Sequence, residues 1–136
     1  DLHTVRHSFP TRRSSDLLPG IRRIAENLPE APSHMLWMNW GQSPVREQMA
    51  YSVEDEIYIA LYAVWQDPEL DAQNIEWATG NMKAMEDLAS GIQLADENLG
   101  RRPAGFVTPE NLARLDRIRA EVDPDGLFHE WLGRPQ

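Results

Sequence analysis

The chain has 136 residues, 41% of them hydrophobic, and five tryptophans, which suits one folded domain with a real core and leaves no room for two substantial ones. A formal net charge of -9 argues against nucleic acid as a partner, because phosphate binding needs a basic face. The sequence holds no cysteine, which excludes disulfides and thiolate chemistry, and no apolar run approaches the roughly eighteen residues of a membrane span.

The first seventeen residues stand apart. The run His7 to Leu17, H-S-F-P-T-R-R-S-S-D-L, resembles the in-frame translation of a sequencing-library adapter. The alternative is a basic, Ser-rich arm. Either origin predicts a disordered leader over 1–17, since apolar periodicity is missing. The adapter origin would make 18–136 the C-terminal remainder of a longer protein. No basic segment followed by an apolar one is visible at the start, so a cytoplasmic location is the expectation.

Leu18-Pro19-Gly20 punctuates the start of the native sequence, and Ile21, Ile24 and Leu28 then fall at helical spacing until Pro29. Ser33 to Trp40 is short, apolar and aromatic, which predicts a strand. His34 within it has no second ligand at metal spacing, so an ordinary strand histidine is the simpler reading. A second strand is predicted over Met49 to Ser52, followed by a turn at Glu54-Asp55-Glu56.

The third strand, Ile57 to Gln66, is the most informative. Its odd positions, Ile57, Ile59, Leu61, Ala63 and Trp65, are uniformly apolar, and its even positions carry Tyr58, Ala60, Tyr62 and Val64. A strand apolar on both sides is covered on both sides. Helices supply one cover. The two tyrosines, each with a large ring and a polar tip, suit a face over a ligand, or they pack in an interdomain core.

Asp67-Pro68 reads as an N-cap with Pro at N1, opening a long helix with Ile75, Ala78, Met82, Met85, Leu88, Ala89 and Ile92 on one stripe and Gly91 as its stop. Gln93 to Pro103 is a polar loop. A last helix starts at Thr108-Pro109, has a Val107/Leu112 staple, and predicts burial of Leu112, Leu115, Ile118 and Val122. Pro124 ends it, and Asp123-Pro124-Asp125-Gly126 turns the chain toward Leu127-Phe128. The expected fold is therefore α+β: about three antiparallel strands with two or three helices on one face.

The pattern Asn111-x-x-Arg114-Leu115-x-x-Ile118-x-x-x-x-Asp123-Pro124-x-x-x-Phe128 is similar to the C-terminal signature of the berberine-bridge-enzyme-like FAD-linked oxidoreductases. The strand ending at Trp65, the Asp67-Pro68 turn and the long helix follow the same family order, so the resemblance covers about Ser33 to Gly133. It implies a cofactor, FAD, held by an N-terminal FAD-binding domain that this chain lacks, and a small-molecule substrate. This chain would supply the end of the substrate domain and a tail that docks on the FAD domain, inactive alone. Tyr58, Tyr62 and Gln93 become candidate substrate-binding residues, and Asp96 and Asn98 candidate cofactor-binding residues at the flavin edge. Gln93 stands where many relatives have Tyr, so no phenolic base is carried over. Ala50-Tyr51-Ser52-Val53-Glu54 departs from a common A-F-x-x-R pattern. The competing reading is a stand-alone, non-enzymatic module that dimerises or binds a partner through the Tyr58/Tyr62 face. A self-contained hydrolase lacks a nucleophile elbow and a metal set.

Overall fold

The computed structural model describes residues 3–11, 14–40, 44, 49–51, 53–93 and 105–128. In chain order the elements are β1 (His3–Thr11), α1 (Ser14–Glu26), β2 (His34–Asn39), β3 (Ile57–Trp65), α2 (Asp71–Lys83) and α3 (Pro109–Val122), with single 3-10 turns at Pro68–Leu70 and Glu86–Leu88. The fold is α+β. Its antiparallel sheet has the order β1-β3-β2, so β3 is central.

A row of β-branched, aromatic and other apolar residues makes β3 a strand suited to burial on both faces. Its odd residues form the main core with Leu17 and Ile24 of α1, Trp77, Ala78 and Met82 of α2, and Met85. Ile59 and Leu61 are fully buried, each stabilising the fold by about 1.5–3 kcal/mol relative to exposure. The two helices are also joined by polar contacts. Arg23 Nε donates to Asn81 Oδ1 at 2.8 Å, and Trp77 Nε1 donates to the Ile24 carbonyl at 3.4 Å.

Register is clamped at both ends of β2. Val64 N donates to Ser33 Oγ at 3.0 Å, and that hydroxyl donates back to the Val64 carbonyl at 3.2 Å. At the other end Trp40 N donates to the Glu56 carbonyl at 2.7 Å. The pairing sets His34 opposite Tyr62, Leu36 opposite Ala60 and Met38 opposite Tyr58.

Four expectations change. Where a leader without regular structure was expected, residues 3–11 form β1 and pair along the whole of β3, and α1 begins at Ser14, running through Pro19 instead of starting after it. Leu17 and Ile24, seven residues apart and so on one helical face, hold α1 on the core from both sides of that proline. The strand expected at Met49 to Ser52 does not form among the described residues 49–51, and β2 pairs with β3 directly.

The third change concerns α2, which ends at Lys83 rather than near Gly91. There the chain folds back so that Met85, 2% exposed, enters the core beneath Gly20, where an added Cβ would stand 2.8 Å from Met85 Cγ. Burial of one large side chain outweighs another turn of helix. The fourth concerns α3. Thr108 caps it, accepting from Asn111 N at 3.4 Å, yet the stripe it was expected to bury is only half covered: Ile118 is 44% and Val122 69% exposed.

Instead of backing the sheet, α3 is tied to other segments. Leu112 and Val107 pack on a small second cluster of Ile92 and Phe106. Asn111 Nδ2 donates to the Met49 carbonyl at 2.8 Å. Beyond α3, Asp123 accepts from Leu127 N at 2.7 Å and Phe128 N at 3.1 Å, with Gly126 at φ 64 completing the turn. The tail is thus ordered by its backbone while Leu127 and Phe128 remain 82% and 70% exposed.

Candidate functional site

The face of β3 opposite the main core carries the candidate residues. Even-numbered side chains point there because strand side chains alternate. Tyr58, only 2% exposed, donates its phenolic O–H to Gln93 Oε1 at 3.3 Å, and its ring meets Trp40 with centroids 5.0 Å apart and planes tilted by 60°. An aromatic side chain buried with its polar tip hydrogen-bonded is a satisfied group on a rigid base.

Tyr62 lies about 13 Å further along the same face, by strand rise. Its ring stacks on His34, centroids 4.7 Å apart and planes within 10°. His34 Nδ1 in turn lies 2.9 Å from the Pro32 carbonyl, so the imidazole is held in orientation from behind. The face therefore has two stations: a covered one at Tyr58, Gln93 and Trp40, and an open one at Tyr62 and His34.

Of the sequence-derived candidates, Tyr58 and Gln93 are brought together and Tyr62 is not. Asp96 and Asn98 lie outside the described residues. His34 and Trp40 were missed as members of the site. Pairing the Ser33 to Trp40 stretch directly with Ile57 to Gln66 would have set His34 beside Tyr62, but the strand expected between them obscured that register.

Tyr51 borders the connection that leads into β3. Burial pushes its phenol above the usual value, and the neighbouring Glu54 carboxylate adds to that. The fold thus favours the neutral phenol. The resulting stability is fully present below the unfolded pKa of about 10 and is lost as pH rises through the raised folded value. Denaturation midpoints measured from pH 8 upward, on the order of one pH step at a time, should fall above about pH 10, and by less in Tyr51→Phe.

Among the described residues, no group of three His, Asp or Glu could hold a metal ion, and no helix is long and apolar enough to cross a membrane. No protein-family model matches the chain. Two curated proteins do. Over 96 residues the chain is 28% identical to the FAD-linked oxidoreductase nodO of Hypoxylon pulicicidum, covering 71% of this chain and 21% of that protein. Over 115 residues it is 25% identical to the FAD-linked oxidoreductase janO of Penicillium janthinellum, covering 82% of this chain and 26% of that protein. The chain thus spans about a fifth to a quarter of the length of these relatives.

Proposed function

We propose that this chain is part of an FAD-linked oxidoreductase, in which its sheet covers the flavin ring and the substrate and its C-terminal tail docks on the flavin-binding part. The observation that carries the reading is the low-identity relationship to two FAD-linked oxidoreductases, which supports that reaction class. Geometry supports it. The second face of β3 presents polar-tipped aromatic side chains from a strand whose other face is locked into the core.

The residues present fit a cover for the ring and not a cradle for the dinucleotide. The sequence has no Gly-x-Gly-x-x-Gly turn at the start of a helix to receive a pyrophosphate. FAD supplies the redox chemistry when bound, accepting the electron pair that leaves the substrate. The chain's own part is positioning. In this reading Gln93, whose Oε1 accepts from the buried Tyr58, offers its amide N–H to a substrate hydroxyl or carbonyl, Tyr62 shapes the open station, and Asp96 and Asn98 lie at the flavin edge. The apolar side of α3 and the Leu127-Phe128 tail form the docking surface for the flavin-binding part.

The test is expression of the full-length reading frame and measurement of its flavin content and steady-state kinetics. Gln93→Leu is expected to lower kcat/KM about tenfold, the effect of one substrate hydrogen bond, with flavin content unchanged. Unchanged kinetics would remove Gln93 from the substrate site. Isolation of the longer protein without any flavin would remove the whole reading.

A further inference from the structure

At the opposite end of β3 from Tyr58, roughly 20 Å away by strand rise, a cavity opens between the Pro29 to Pro32 turn, Trp65 to Asp67, and the first turns of α2. Its volume is about 560 Å³, within the range of small-molecule sites. Asn74 forms part of its wall and is only 4% exposed. The Asn74 carboxamide has no hydrogen-bond partner among the described residues.

Asn81, two turns along the same helix, shows the contrast. It is comparably buried, at 8%, and fully engaged, accepting from Arg23 Nε at 2.8 Å and donating to the Trp77 carbonyl at 2.7 Å. Buried amides are ordinarily satisfied in this way. One in a cavity wall with no partner among the described residues is open to a ligand.

The cavity also has a sign. Glu30 and Asp67 line it, and among the described residues no Lys, Arg or His does. Asp67 uses Oδ1 to accept from Glu69 N at 3.0 Å, which leaves its second oxygen for another donor. The indole N–H of Trp65 is taken by Asp71 Oδ1 at 2.6 Å, so Trp65 offers the cavity ring surface and no donor. Pro29 and Pro32 add further apolar wall.

We propose that this cavity binds a small organic ammonium ion, its N–H groups donating to Asn74 Oδ1 and to the Glu30 and Asp67 carboxylates while its hydrocarbon body lies against Trp65 and the prolines. An ammonium has three donors and no acceptor, which suits the Glu30 and Asp67 carboxylates, while the carboxamides of Gln66, Gln73 and Asn74 in the same wall each carry an acceptor oxygen beside their N–H donors. A carboxylate or phosphate ligand would face two like charges. The site is separate from the flavin-facing stations and does not depend on that assignment.

The test is titration of the 136-residue chain, 15N-labelled, with benzylammonium, benzyl alcohol and benzoate. The expected result is a saturable shift of the Asn74 side-chain amide with benzylammonium, binding at least about tenfold weaker for benzyl alcohol, and none for benzoate, a charge-assisted contact being roughly twice as strong as a neutral one. Glu30→Gln, on an exposed turn, should weaken benzylammonium binding about tenfold. Asn74→Leu should abolish it while the melting temperature is kept or raised. Absence of a saturable shift, equal binding of the alcohol, or unaltered binding in Glu30→Gln would each overturn the proposal.

Discussion

Leu17→Ala is expected to lower the unfolding free energy by about 3 kcal/mol, a drop of roughly 10 °C in melting temperature for a domain of this size. The residue is fully buried and packs in the main core with Ile24, Leu61 and Met82. Removing its isobutyl group takes away the transfer free energy of about three carbons and leaves a cavity that β3, hydrogen-bonded on both edges, cannot collapse to fill. Its neighbour makes the control. Leu18 is 64% exposed, so Leu18→Ala should stay within about 0.5 kcal/mol. Urea denaturation of the two variants, followed by tryptophan fluorescence, decides the matter. Equal small effects would mean that α1 is not seated on the sheet.

The second large effect depends on context. In the 136-residue chain Phe128→Ala should change stability by no more than about 0.5 kcal/mol, because the ring is 70% exposed and only the Phe128 backbone is held, by Asp123 and Arg119. In the full-length protein the same substitution should cost about 3–4 kcal/mol, the usual loss when a buried phenylalanine is truncated. Parallel denaturation of the short and long forms reads out the difference directly. Were Phe128→Ala equally silent in both, the tail would not be a docking element, and the exposed side of α3 at Ile118 and Val122 would need another partner.

Much of the architecture was legible in the residue pattern. The alternation in Ile57 to Trp65 specified a strand buried on both sides, because a period of two leaves no other way to cover five apolar odd positions. Caps were partly readable: Thr108 accepts from Asn111 N at the start of α3, whereas Asp67, accepting from Glu69 N, caps the 3-10 turn Pro68–Leu70 and α2 itself begins after Leu70 without a side-chain cap. Local signals of that kind depend only on neighbours in sequence.

The misses came from long-range competition. Nothing local says that Met85 leaves the helical stripe to fill a space made by Gly20, sixty-odd residues earlier in the chain. Similarly, the apolar spacing of α3 was right as a helix pattern and wrong as a burial pattern. Periodicity reports which face is apolar and not what covers it. At the candidate site, Tyr58 and Gln93 were singled out separately, but their contact depends on the path of residues 91–93 past Val53 and Gly105, which no spacing rule encodes.

The two clamps on β2 carry a consequence for variation in length. Ser33 is bonded to Val64 through its hydroxyl at one end of the strand, and Trp40 to Glu56 through the backbone at the other. Pairing is thereby fixed from the strand's own ends and does not depend on how many residues link Trp40 to Glu56. Loop closure adds only about 0.6 kcal/mol for each doubling of length. The connection can therefore change length outside the Met49 segment held by Asn111 while His34 stays opposite Tyr62.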